Sequence, residues 1–225
     1  MNSERGRLLD DGLRQLPAIE FPLGGRNGET FATDEAAVWK RVLNYRLAQQ
    51  VKPRLILETH PGLGISTVLY RQAYPKAQFI DLSQVQSDFH RPIELIDIDP
   101  FGSPWDMIDR VLPFLNARTV VQISNGEAHA VRRNLRRGQK YPTRYVGRQL
   151  PQWVIKEYLP RIERIVGLQV RFFYAFPTTV RVIMSRRTLP THLWNGCPQW
   201  MWWLAKYAPK SPLQIRNVYR CKNGK

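Results

Sequence analysis

Between residues 31 and 186 the chain alternates long segments of helical period with short apolar runs. Thr33 is placed to cap a helix over TDEAAVWKRVLNYRLAQQ, in which Asp34 and Glu35 suit the positive end of the dipole. Val38, Val42, Leu43 and Leu47 fall on one stripe of that helix and predict that it docks on a core. RLILE (54–58) is a short apolar run of the kind buried in a parallel sheet, and it enters THPGLGIST, a turn with glycines at 62 and 64. ISTVLYRQAY then has helical length and is stopped by Pro75. AQFIDL (77–82) and ELIDID (94–99) predict strands, MIDRVLPFL a helix and ARTVVQIS (117–124) a further strand. WVIKEYLPRIERI predicts a helix in spite of Pro160, while LQVRFFYAF and TTVRVIMSR predict two strands separated by one proline, an antiparallel pair at a sheet edge. This order predicts an α/β fold: a sheet covered by helices on both faces, with a terminal antiparallel hairpin.

The periodic core divides the chain into three parts. Residues 1–30 are polar and glycine-bearing (PLGGRNGET) and predict an arm that wraps the core; 31–186 form the α/β domain, with a basic insertion at 126–151; 187–225 form an extension. The extension sets Trp194, Trp200, Trp202 and Trp203 among prolines and basic residues. Such a group packs as a satellite hydrophobic cluster or serves as a platform on which bases stack. No internal repeat is present.

Charge adds a partner to this picture. The 225 residues carry a formal net charge of +16, and no acidic residue follows Glu163. VRRNLRRGQKYPTRYVGR (131–148) holds Arg132, Arg133, Arg136, Arg137, Lys140, Arg144 and Arg148 and no acid. A merely solvated face usually mixes both signs, so the expected partner is nucleic acid, with anionic lipid the weaker choice. No charged leader precedes an apolar run and no stretch of 18 apolar residues occurs, which predicts a soluble, cytoplasmic protein with no membrane partner. Cys197 and Cys221 lie too far apart for a zinc pattern, and the histidines at 60, 90, 129 and 192 form no pair at ligand spacing, so no metal is expected.

A strand, a Gly-x-Gly turn and a helix bring backbone N–H groups and a positive helix end to one place, which suits a nucleotide-type ligand. A dinucleotide pattern would need a third glycine where Thr67 stands, and a phosphate loop would need an absent Gly-Lys pair. Asp81, nineteen residues beyond Gly62, ends the second strand where a carboxylate can take both ribose hydroxyls. Together with Glu58 it predicts an acidic pocket, better suited to a cationic sulfonium nucleoside than to NAD. The plainer alternative is that both are ordinary polar strand ends.

ELIDIDPFGSPWD (94–106) ends a buried strand on an acid and breaks into a proline, aromatic, glycine turn. An exocyclic amine is a poor nucleophile because its lone pair is delocalised into the base. Asp99 can accept one N–H and the carbonyl of Pro100 the other, which localises the lone pair and stabilises the charge that develops. Pro100 is rigid, Phe101 offers a stacking face, and Gly102 permits close approach. The plainer alternative is a strand-to-helix turn that Asp99 merely caps.

These residues resemble the motifs of class I S-adenosylmethionine-dependent methyltransferases. ETHPGLG resembles the cofactor motif with His60 replacing its first glycine, and DPFGSP resembles the Asp/Asn-Pro-Pro-aromatic motif of amino-methyltransferases. IDIDPFGSP is similar to the corresponding stretch of tRNA guanine-N2 dimethyltransferases of the Trm type. The resemblance covers about 54–125 and implies a Rossmann-like sheet, S-adenosyl-L-methionine as cofactor, cofactor contacts around Glu58, His60, Gly62, Gly64 and Asp81, with Asp88 as an adenine contact, and base contacts at Asp99, Pro100 and Phe101. Two departures stand out. About a dozen residues separate Asp81 from the next strand, where the family usually inserts a helix, a strand and another helix, so either the core is abridged, with a protein partner or a second copy available to complete it, or Asp81 belongs to a different strand. The large C-terminal domain of the tRNA enzymes is not matched. The expected activity is methylation of an exocyclic base amine, tRNA guanine N2 first and DNA adenine N6 second. The alternative is a methyltransferase-like subunit that binds nucleic acid without catalysis, for which His60 and the short middle argue; a small-molecule methyltransferase would have little use for the charge.

Overall fold

Strand formation follows the predicted short apolar runs closely. In the computed structural model the described residues are 14, 16, 35–62, 64–85, 89–100, 102–135, 139–175, 179–190 and 193. Thr33, Asp34, Asp88, Phe101, Arg136, Arg137 and the tryptophans at 194, 200, 202 and 203 lie outside them. The strands are β1 (Leu55–Glu58), β2 (Gln78–Asp81), β3 (Leu95–Ile98), β4 (Val120–Asn125), β5 (Gln169–Ala175) and β6 (Val180–Ser185). They form one sheet in the order β2-β1-β3-β4-β6-β5. The first four run parallel; β6 is antiparallel to both β4 and β5, which places the predicted hairpin at the sheet edge.

Two-residue alternation divides the sheet into its faces. Leu57, Ile96, Ile98 and Ile123 pack with Trp105, Ile108, Trp153 and Tyr158. These come from α3 (Trp105–Val111) and from the helical stretch after the basic insertion, while α4 (Glu127–Arg132) adds Ala128 and Val131. Ile56, Leu95, Val120 and Ile183 face the other way, onto Leu43 and Leu47 of α1 (Glu35–Val51) and Tyr70 of α2 (Ile65–Ala73). Val38, Val42, Leu43 and Leu47 are fully buried, each contributing about 1.5–3 kcal/mol. Leu16, from the N-terminal arm, packs on residues of both α1 and α2.

Pro160 sits in the helix predicted around it because the ladder opens just before it. α5 (Leu150–Trp153) runs into a π turn, Val154–Tyr158, and α6 (Leu159–Val166) begins one residue before the proline. A proline lacks the N–H of a regular helix and crowds the carbonyl four residues back; the wider turn relieves both. Between Asp81 and β3 the described residues contain a short 3₁₀ turn, Leu82–Gln84, and no further strand, so the middle of the core is abridged as expected. Among the described residues no helix is long and apolar enough to cross a membrane.

Candidate active site

The face that meets α1 and α2 is apolar at the start of each parallel strand and polar at its end. Ile56, Leu95 and Val120 are one row; two residues on, Glu58 pairs with both Asp81 and Asp97, and Asp97 pairs with Gln122. One step further, Ser124 pairs with Arg181 of β6, and Asp99 follows Asp97 on the same face. Period two thus gathers four acids at the carboxyl edge of the sheet, where ligands bind in open α/β folds.

Arg181 is fully buried and organises this edge. Its Nη2 donates to Asp97 Oδ1 at 2.9 Å and to Asn44 Oδ1 at 2.7 Å, and its Nη1 donates to Ser124 Oγ at 2.6 Å. Asp99 Oδ1 lies 3.7 Å from Nη1, and Lys40 Nζ donates to Asp99 Oδ2. Tyr70 donates to Asp97 Oδ2 at 2.5 Å and accepts from Gln122 Nε2. Burial opposes the charge of Asp99, but Lys40 and Arg181 outweigh it and hold its carboxyl well below the usual carboxylate range. Burial draws Lys40 down to about 8 against the pull of Asp99. Burial also disfavours the charge of Arg181, yet Asp97 and the neighbouring Asp99 raise its pKa and keep it a cation.

Glu58 is treated differently. It is 5% exposed and accepts a hydrogen bond from Thr67 Oγ1 at 2.5 Å. Burial pushes it up to about 7, with the Thr67 bond acting in the opposite direction. Asp97 and Asp99 are each matched by a cation; Glu58 accepts from a neutral hydroxyl, so an arriving cation would favour its ionised form. Asp81 lies beside it, accepts from the Ser83 N–H at 2.7 Å, and is held below its ordinary range mainly by that bond.

The turns that frame these acids face open space. Gly62 (φ +53°) and Gly64 (φ +73°) are left-handed, as the turn between β1 and α2 requires, and a Cβ added at either would meet nothing within 4 Å. The same is true of Gly102, whose N–H donates to the Pro100 carbonyl at 3.0 Å. Gly126 closes the edge: its N–H bonds the Gly102 carbonyl at 2.7 Å, and a Cβ there would stand 2.9 Å from the Gly102 Cα. His60 is exposed, its Nδ1 2.8 Å from Thr59 Oγ1.

The sequence-predicted residues Glu58, His60, Gly62, Gly64, Asp81, Asp99 and Pro100 therefore share one edge of the sheet, while Phe101 is outside the described residues. Lys40, Asn44, Tyr70, Asp97 and Arg181 were not predicted. The available signal was a single charge inside an apolar strand: Asp97 in LIDI and Arg181 in VRVIM. Buried charges of opposite sign in strands of one sheet call for each other. The basic segment returns to the same end of β4, since the Lys140 N–H bonds the buried Glu127 Oε1 at 2.8 Å. Arg132, Arg133, Arg144 and Arg148 are exposed, whereas the Lys140 ammonium lies 3.0 Å from Asp106 and 3.3 Å from Asp109 of α3. Among the described residues no group of three or more His, Cys, Asp or Glu is arranged to hold a metal.

The sheet order, with helices on both faces and the acids at the carboxyl edge, is a Rossmann-like α/β fold of the kind found in methyltransferases. The structure of Trm1 from Pyrococcus horikoshii with S-adenosyl-L-methionine is similar with a TM-score of 0.50 and 14% identity, over 64% of this chain and 53% of that one. The O-methyltransferase TomG from Streptomyces achromogenes, solved with SAM, gives 0.45 and 11%, over 80% and 90%. The chain thus spans about half the length of Trm1, and at these identities the likeness is one of fold. No family model matches the sequence, and no curated protein matches it.

Proposed function

We propose that this chain is an S-adenosylmethionine-dependent methyltransferase that modifies an exocyclic amine of a nucleic-acid base, with tRNA guanine N2 the first candidate and DNA adenine N6 the second. The observation that carries the reading is the place of Asp99: a half-buried carboxylate just past the carboxyl end of β3, which pairs with β1, in contact with the Lys40 ammonium and 3.7 Å from Arg181 Nη1. The residues present suit the cofactor. Glu58 gains its charge most readily beside a cation, Asp81 stands next to it for ribose hydroxyls, and open space lies against Gly62 and Gly64. When bound, the cofactor supplies an electrophilic methyl group.

Asp99 accepts one N–H of the target amine and the Pro100 carbonyl accepts the other, which keeps the amine's lone pair free. That carbonyl already takes the Gly102 N–H and has one lone pair left. Phe101 is the proposed stacking partner of the base. A base in a duplex must be flipped out to reach this edge, and Arg132, Arg133, Arg144 and Arg148 are the proposed grips on flanking phosphates. RNA is favoured over DNA by the resemblance of IDIDPFGSP to the tRNA enzymes.

The test is to incubate the protein with methyl-labelled S-adenosylmethionine and separate pools of tRNA, rRNA and DNA, then map the labelled base. Label on an exocyclic amine supports the reading; label on a hydroxyl or on carbon contradicts it. A second reading, a binding subunit without catalysis, is favoured by one observation: Lys40 already occupies Asp99 Oδ2. No label in any pool, with tight salt-sensitive RNA binding retained, would favour it.

A further inference from the structure

Lys40 reaches the site from α1, outside every motif that the strands and turns supply. Val38, Trp39, Val42 and Leu43 are buried against the core. Lys40 and Asn44, one turn apart, point instead at the polar edge: Asn44 meets Arg181 and Lys40 meets Asp99. Lys40 and Asp99 side chains are each 19% exposed, so the pair is shielded but has a way out to solvent.

An amine that receives a methyl group must lose a proton. Asp99 is a good acceptor of hydrogen bonds and a poor base, because Lys40 and Arg181 hold its carboxyl well below the usual range, and Arg181 stays a cation beside it when Lys40 gives up its proton. A proton placed on it would not stay. Tyr70 is already a donor to Asp97, and burial keeps its hydroxyl protonated. His60 is exposed on the turn, bonded to Thr59. Lys40 is the titratable side chain in direct contact with the clamp carboxylate that can exchange a proton.

We propose that the Lys40 amine is the catalytic acceptor of the proton released during methyl transfer, an inference that rests on the methyltransferase reading above. The amine lone pair of the substrate forms the new N–CH3 bond; the S–CH3 bond breaks with its electron pair going to sulfur; one N–H proton passes to neutral Lys40 and from there to solvent. Burial sets the state of Lys40 first; of the charged groups around it, Asp99 at the end of β3 raises its pKa, while Arg41 beside it on α1 and Arg181 on β6 lower it. Asp97, Tyr70 and Glu58 lie on the same edge of the sheet. A sulfonium arriving at this edge adds a positive charge and favours the neutral amine further.

Two measurements test the proposal. The first is the pH dependence of methyl transfer at saturating cofactor for the wild type, Lys40→Arg and Lys40→Met, with cofactor affinity and thermal unfolding followed beside it. The wild-type rate rises with pH and levels off below about 8, the value for Lys40 without cofactor, because the bound sulfonium moves the titration down. Both variants fall roughly a hundredfold and lose that rise while still binding S-adenosylmethionine. The second is an NMR titration of isotope-labelled lysine side chains, with the Lys40 signal assigned by its loss in Lys40→Arg. It titrates well below the other lysines and moves to lower pH when S-adenosylmethionine is added. A Lys40→Arg variant with the wild-type rate or the wild-type pH rise overturns the proposal alone. So does a Lys40 signal that titrates with the exposed lysines. Absence of transfer by the wild type to every nucleic-acid pool overturns the methyltransferase reading and the base role with it.

Discussion

Replacing Arg181 with Met removes the guanidinium that ties β3, β4, β6 and α1 together. Asp97, 3% exposed, is left with Tyr70 and a 3.5 Å contact to Asn44 Nδ2; Ser124 Oγ and Asn44 Oδ1 each lose a donor. Breaking a buried pair by deleting one partner costs about 3–5 kcal/mol, because the remaining charge keeps its desolvation penalty and loses its compensation. Against a typical total stability of about 5–15 kcal/mol, that is a large fraction. Urea unfolding followed by circular dichroism reads it directly. A second variant separates the pair from general packing damage: Asp97→Asn added to Arg181→Met removes the orphaned charge and should recover more than about half of the loss. Arg181→Lys, which keeps the charge but not the planar fork, falls between wild type and Met. If Arg181→Met costs less than about 1 kcal/mol, or if Asp97→Asn makes it worse, the charge network described for this edge is wrong.

Two further predictions concern ligands. Glu58, raised to about 7, is largely protonated below that pH, so affinity for a cationic cofactor should increase as pH rises through about 7 and flatten above it. Calorimetry on Glu58→Gln should show weaker and pH-independent binding; a wild-type profile in that variant would refute the role of Glu58. The raised pKa also means that Glu58 favours the folded state below its unfolded range, near 4.5, and that this contribution is lost as pH climbs through about 7. For the basic segment, Arg133→Glu, Arg144→Glu and Arg148→Glu should each lower the slope of log affinity for RNA against log salt by about 0.7 or more for every phosphate left without its cation. Unchanged slopes would place the nucleic-acid surface elsewhere.

Much of the scaffold was legible because short apolar runs and their terminators carry local information. LILE, QFID, LIDI and VVQISN are all strands, and their alternation fixes which residues share a face. Pro160 marked a strained point in a helix, although the π turn that accommodates it could not be read from the residues alone. The partners of the acids were not legible, because charge pairing acts through space. Lys40 and Asp99 are 59 positions apart, and Asp97 and Arg181 are 84 apart. The same limit applied to Lys140: the segment 131–148 contains no acid, yet α3 supplies two, 34 and 31 positions earlier. Thr67 read as a missing glycine; it donates to Glu58 instead.

In the proposed reaction an ionised Asp99 holds the amine that accepts the methyl group. Asp99→Asn keeps the shape of the side chain and removes its charge, so one preparation can be assayed for both S-adenosylmethionine binding by calorimetry and methyl transfer to whichever nucleic-acid pool the wild type labels. Cofactor binding is expected to stay close to wild type, with transfer reduced about a hundredfold or more. Transfer at the wild-type rate by Asp99→Asn would contradict that role for Asp99.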